Sequence, residues 1–131
     1  IKPDKFRAEG CCNPLLYYGQ SKLANLLFSN ALAERMANST ITNNALHPGG
    51  VASDIYRELP KPVYEVMKIG LVSTSVPAKL ITDMAIADHW ATRNGEYVSA
   101  HMPDWKSPHA KNQQLARDLY TQSMDLVEKY L

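Results

Sequence analysis

Apolar residues recur at helical spacing in three stretches of the chain. From about Leu15 to Met36, Leu23, Leu27 and Ala31 form one stripe, and Phe28, Leu32 and Met36 form a second. Two stripes make a wide apolar arc, which predicts a helix buried on two sides, against a sheet and against a further element or subunit. Asn38-Ser39-Thr40 ends it. A second helix is expected from Ser73 to about Thr92, with Ser and Thr at its start, Pro77 in its first turn, and Leu80, Ile81, Met84 and Ala87 as its apolar face. The last helix follows Ser107-Pro108, which reads as an N-cap and first helical position, and carries Leu115, Leu119, Leu126 and Tyr130 on one face.

The segments between these helices carry strand and turn signals. Ile41 to Leu46 is a short extended run stopped by Pro48-Gly49-Gly50, the pattern of a strand ending in a turn. Residues 51–72, punctuated by Pro60, Pro62 and Gly70, hold a short helix from Val63 to Ile69 and resemble a lid. Asn94-Gly95 is a turn and Glu96-Tyr97-Val98 a second short strand, while residues 1–14 read as a loop. The order helix, strand, lid, helix, strand, helix defines an α/β fold with parallel strands. Two parallel strands do not make a stable sheet, so residues 1–131 are expected to be about half of a domain. The absence of an initiator Met points the same way.

Composition narrows the function classes. With 14 Lys+Arg against 13 Asp+Glu, the net charge is +1 and no run of one sign stands out. A nucleic-acid partner is therefore not expected, because phosphate neutralisation needs clustered cations. No apolar stretch approaches the roughly 18 residues of a membrane span. The opening Ile1-Lys2-Pro3-Asp4-Lys5 has no apolar core of a secretory leader, and Cys11 and Cys12 are adjacent and unsuited to a stapling disulfide. Together these predict reduced thiols and a cytoplasmic location. His47, His89, His101 and His109 are scattered, and no metal site is expected.

The candidate chemistry lies on the first helix. Tyr18 and Lys22 are four residues apart, on one face about one turn from each other. A phenol is a poor base at neutral pH, and a neighbouring ammonium favours its phenolate form. Such a pair can exchange a proton with a substrate hydroxyl or carbonyl. Tyr17 points about 100° away on a helix and reads as a packing residue.

Three blocks then fall in register with a known family. Tyr18-Gly19-Gln20-Ser21-Lys22-Leu23-Ala24-Asn25, followed by Leu26-Leu27-Phe28, resembles the active-site helix of the short-chain dehydrogenase/reductases. More narrowly, it resembles the retinol-dehydrogenase and WW-domain-oxidoreductase branch. Thr42-Asn43-Asn44-Ala45-Leu46-His47-Pro48-Gly49, with Val51 and Ser53, is similar to the strand and turn that these enzymes place beside the nicotinamide. Gly95-Glu96-Tyr97-Val98 sits where the family's last strand lies.

The resemblance implies the C-terminal half of a Rossmann-type, doubly wound parallel sheet. Residues 1–131 would be the C-terminal part of one NAD(P)-binding domain whose N-terminal half is absent. It implies Tyr18 as general acid/base and Lys22 as the residue that favours the phenolate and hydrogen-bonds the nicotinamide ribose. Pro48 and Gly49 shape the turn beside the nicotinamide, Val51 offers a backbone contact to the carboxamide, and Ser53 stands where the family commonly has Thr. His47 precedes the turn as it often does in this branch, although a histidine that packs at a strand end is the commoner case. The cofactor is NAD or NADP, and the substrate is a lipophilic alcohol or its aldehyde or ketone, retinoid- or steroid-like. Tyr56, Leu59, Val63, Val66, Met67 and Ile69 belong either to the lid over it or to a surface helix that packs its own apolar side. A homodimer through the helix carrying Tyr18 is implied, with Phe28 and Met36 near the interface.

The sequence also departs from the family in that it contains no Gly-x-Gly-x-x-Gly. The resemblance puts that loop, the catalytic Ser and the Asn of the tetrad upstream, together with any membrane anchor. The 131 residues alone are therefore expected to be inactive. The competing function class is an inert dehydrogenase-like module that acts through protein–protein contact.

Overall fold

The computed structural model describes residues 14–52 and 60–131, with the backbone only at positions 14, 15, 66 and 67. Cys11, Cys12, Ser53, Tyr56 and Leu59, and the side chains of Val66 and Met67, lie outside the described residues. The chain divides into two compact units. One holds the residues up to 44 together with 94–96 and 106–131, and the other holds 45–93 and 97–105.

The first unit is built on two helices, α1 (Pro14–Arg35) and α4 (Gln113–Val127). Proline suits the first turn of α1, where its missing N–H has no partner to lose. At the other end Ser39 donates its backbone N–H (2.9 Å) and its hydroxyl (2.8 Å) to the Met36 carbonyl. Leu27 and Ala31 of the first expected stripe are buried against Ala116 and Leu119 of α4, with Leu23, Ala24, Leu115 and Tyr120 packed around them. Ala31 and Ala116 let the two backbones approach closely where larger side chains would hold them apart. The second stripe is covered less: Phe28 is 37% exposed and stacks on Tyr120 at 5.1 Å, with the Arg35 guanidinium 4.1 Å from the other ring's centroid. Arg117 of α4 pairs through two nitrogens with the Glu34 carboxylate of α1.

Two sequence expectations about α4 are corrected. Ser107 does not cap it. Asn112 does, accepting from the Leu115 N–H at 3.0 Å. The Ser107 hydroxyl instead accepts from the Ala110 N–H at 3.2 Å, starting a separate single turn at His109–Lys111. The apolar face of the helix also stops early. Leu126 and Tyr130 are 60% and 77% exposed, because α1 covers only the turns around Ala116 and Leu119.

The first unit also contains a side-chain scaffold that displaces part of the expected strand. The Asn94 carboxamide accepts from the Asn43 N–H at 2.9 Å and donates to the Ala33 carbonyl at 2.8 Å. Asn43 donates to both the carbonyl and hydroxyl of Ser29, and the Glu96 N–H donates to the Asn44 side chain at 2.9 Å. Backbone groups that a ladder would use are thus taken by asparagine side chains. The strand begins at Ala45 rather than Ile41.

In the second unit β1 (Ala45–His47) pairs in parallel with β2 (Tyr97–Ser99), with Ala45 opposite Tyr97 and His47 opposite Ser99. Parallel neighbours need a long crossover. Here it includes α2 (Lys61–Lys68) and α3 (Ser75–Ile86). The expected helix to Thr92 breaks at Ala87, which is extended, and resumes as one turn at Asp88–Trp90. The break lets the buried Trp90 ring swing back, so that its indole N–H donates to Asp83 at 2.8 Å. Pro77 is the buried residue of α3, whereas Ile81 is 54% exposed, contrary to its expected place on the apolar face. Helices and strands alternate as expected, and the strands are parallel.

Candidate functional site

The helical unit carries Tyr18 and Lys22, the pair expected to exchange a proton. Tyr18 and Lys22 lie one turn apart on α1, and the Lys22 ammonium is 5.3 Å from the centroid of the Tyr18 ring. Tyr18 is 63% exposed, and a Cβ added at the next residue, Gly19, would meet nothing within 4 Å. The phenol therefore stands on an open face of the helix with a cation beside it. Tyr17, one residue off, is half-buried, in line with a packing role. The Ser21 hydroxyl bonds back to the Tyr18 carbonyl at 2.8 Å, which ties it to its own helix.

The second unit carries the turn. β1 ends at His47, whose carbonyl accepts from the Ala100 N–H at 3.0 Å. Its side chain is exposed, so it does not pack at the strand end as a typical strand-end histidine would. Pro48 is incompatible with a continued ladder because it has no N–H. Gly49 follows at φ +81°, the left-handed region where a side chain is strained, and a Cβ there would lie 3.4 Å from the His101 Cβ. Beyond the turn, Val51 forms a parallel bridge with Val72: the Val72 N–H donates to Gly50 (2.8 Å) and the Ala52 N–H donates to Val72 (2.9 Å). In a parallel bridge of this pattern, the flanking residues use one edge, and the N–H and C=O of Val51 itself face the opposite edge.

Of the expected site residues, Tyr18 and Lys22 are thus adjacent within one unit, and Pro48, Gly49 and Val51 are contiguous within the other. Ser53 lies outside the described residues. Sequence reasoning missed His101, which flanks Gly49, and the Asn43, Asn44 and Asn94 scaffold. For the scaffold the signal was present, as paired asparagines before a strand and an Asn-Gly turn. For His101 no local pattern could have pointed to Gly49, because strand register alone sets that contact. Among the described residues no group of three or more His, Cys, Asp and Glu is gathered as metal ligands would be, and no helix is long and apolar enough to cross a membrane.

No model of a known protein family matches the sequence. Individual proteins do. Retinol dehydrogenase 12 of Mus musculus is 36% identical over 112 residues, covering 84% of this chain and 35% of its own length. Retinol dehydrogenase 13 of Mus musculus is 31% identical over 118 residues, with the same coverage of 84% and 35%. Retinol dehydrogenase 14 of Homo sapiens is 29% identical over 126 residues, covering 92% of this chain and 38% of its own length. These matches place the chain among the short-chain dehydrogenase/reductases, and its helix with Tyr18 and Lys22, parallel strand pair and Pro-Gly turn are compatible with that family. Within that family the chain belongs to the retinol-dehydrogenase-like branch. It spans little more than a third of the length of the relatives it matches.

Proposed function

We propose that the complete protein is an NAD(P)-dependent oxidoreductase that interconverts a lipophilic alcohol, retinoid- or steroid-like, and its aldehyde or ketone. The observation that carries this reading is the solvent-open Tyr18 with the Lys22 ammonium 5.3 Å from its ring, in a chain whose relatives are retinol dehydrogenases. Tyr18 gives or takes the substrate proton. Lys22 sets a positive charge beside the phenol and hydrogen-bonds the nicotinamide ribose.

The residues of the turn suit a flat, amide-bearing ring. Gly49 takes the left-handed conformation that the turn requires, and the unbridged edge of Val51 offers one N–H and one C=O, the complement of a carboxamide. Pro48 holds the turn that presents them, and Ser53 adds a hydroxyl. Bound NAD or NADP supplies or accepts the hydride. Residues 1–131 form the C-terminal part of one NAD(P)-binding Rossmann domain. The 131-residue chain by itself is therefore expected to bind neither NADH nor NADPH at micromolar concentration, and a micromolar dissociation constant would overturn that assignment.

Tyr18→Phe in the full-length protein tests the central role, since it removes the ionisable oxygen and keeps the ring. Turnover should fall about 10²-fold or more, the scale of a lost general acid/base, with cofactor affinity little changed. Turnover near the wild-type value would reject Tyr18 as the proton donor, and an inactive wild-type protein would favour the inert module. The same reading includes a homodimer through α1, where Phe28 remains 37% exposed despite its stack on Tyr120. Sedimentation of the wild-type protein as a monomer at micromolar concentration would exclude that dimer.

A further inference from the structure

β1 and β2 are parallel, so their carboxyl ends lie at the same edge of the sheet. Open α/β sheets bind ligands outside that edge. Two loops leave it. The one after β1 is the Pro48-Gly49 turn, and the one after β2, residues 100–105, has no role in the reading above.

Both position and restraint distinguish this second loop. The Asp104 carboxylate accepts from the Ser99 N–H, and the Ser99 hydroxyl accepts from the Met102 N–H at 3.1 Å. The Ala100 N–H extends the pairing to His47, and the Trp105 N–H donates to the Pro103 carbonyl at 2.7 Å. The backbone is therefore pinned at both ends of a tight bend. His101 brings it alongside the Gly49 turn, its Cβ 3.4 Å from where a Gly49 Cβ would stand.

The large apolar side chains of this loop do not build the core. Met102 is 59% exposed and Trp105 is 72% exposed. Keeping such surface in water on a restrained backbone is unfavourable when an apolar ligand could cover it. A rigid indole and a flexible thioether at the rim of a ligand-binding edge suit an apolar occupant of variable shape.

We propose that residues 101–105 form a second wall of the substrate site. Met102 and Trp105 cover the apolar body of a lipophilic alcohol, while its carbinol carbon lies beside the Pro48-Gly49 turn. This inference rests on the oxidoreductase reading and assigns that site its selectivity for long apolar substrates. The two residues touch only the substrate body, so they set its affinity and leave the chemical step alone.

The test uses the full-length protein with butanol and dodecanol as a short and a long alcohol. Trp105→Ser and Met102→Ser should each raise KM for dodecanol about tenfold, the scale of a lost apolar contact in a pocket, and leave kcat and butanol oxidation unchanged. Trp105→Phe should restore most of the dodecanol affinity. Binding is also read without turnover, as quenching of tryptophan emission by retinol, which should shrink in Trp105→Phe. If the variants leave the dodecanol KM and the quenching unaltered, or weaken butanol and dodecanol alike, the wall is refuted while the oxidoreductase reading stands. If Trp105→Ser fails to fold, the Trp105→Phe quenching decides. A wild-type protein that turns over none of butanol, dodecanol and retinol overturns the oxidoreductase reading, and the wall with it.

Discussion

The α1–α4 pair and the β1–β2 pair are held together in opposite ways. The helices close their seam with side chains: Leu27 and Ala116 are fully buried, and Ala31 and Leu119 nearly so. The strands are joined through a backbone ladder of three residue pairs, and none of their six residues is buried. A seam of side chains is stabilised by the apolar area it removes from water, which repeats with the helical period. A ladder of backbone bonds contributes little net, since water offers the same bonds to the separated strands. Each unit of the chain thus presents its candidate chemistry on a different kind of support. Tyr18 and Lys22 ride on a helix anchored by its own buried face, whereas Pro48, Gly49 and Val51 depend on pairing between distant segments.

The sharpest way to break this comparison is a matched truncation in the full-length protein. Leu27→Ala should cost about 2–5 kcal/mol, the range for a fully buried leucine. Leu46→Ala, in a half-buried strand position, should cost less than half of that. Urea denaturation of both variants checks the contrast, and equal losses would show that the sheet is as dependent on side-chain packing as the helices. A smaller effect should come from Asn94→Ala, which leaves the Asn43 N–H and the Ala33 carbonyl without their partners. The expected loss is about 1–3 kcal/mol, the penalty for stranding part-buried polar groups. A loss within experimental error would mean that water replaces the carboxamide, and that the scaffold does not set where β1 begins.

The smallest effect belongs to the surface pair. The hydrogen bond from Arg117 holds the Glu34 carboxyl below its ordinary range, and the same bond raises Arg117. A carboxylate whose folded-state pKa is depressed stabilises the protein above its unfolded value of about 4.3, and that contribution disappears as pH falls through the lower folded value. Both groups are exposed, so solvent screening keeps the effect small. Comparing stability at about pH 6 and about pH 3, wild type should lose slightly more on acidification than Glu34→Gln. Identical losses would show that the pair contributes nothing to stability.

The helices were legible because their determinants are local. The stripe of Leu23, Leu27 and Ala31 and the stop at Asn38-Ser39-Thr40 place α1 within a residue or two of Pro14–Arg35. The adjacency of Tyr18 and Lys22 follows from helical spacing alone. A Pro-Gly dipeptide after an extended run likewise announces a turn with a left-handed glycine, as Gly49 adopts. Other features were decided by partners remote in the chain. Asn94 takes backbone bonds from the segment before Ala45, so β1 is shorter than the run from Ile41 suggests. Asp83 draws the Trp90 indole back and separates α3 from the turn that follows. Val72 determines which edge of Val51 stays open, and the register of β2 brings His101 to Gly49. The physical reason is that helical period and turn chemistry are properties of a few neighbouring residues. Hydrogen-bond partners across a fold are chosen only when loops close and distant groups compete for the same donors.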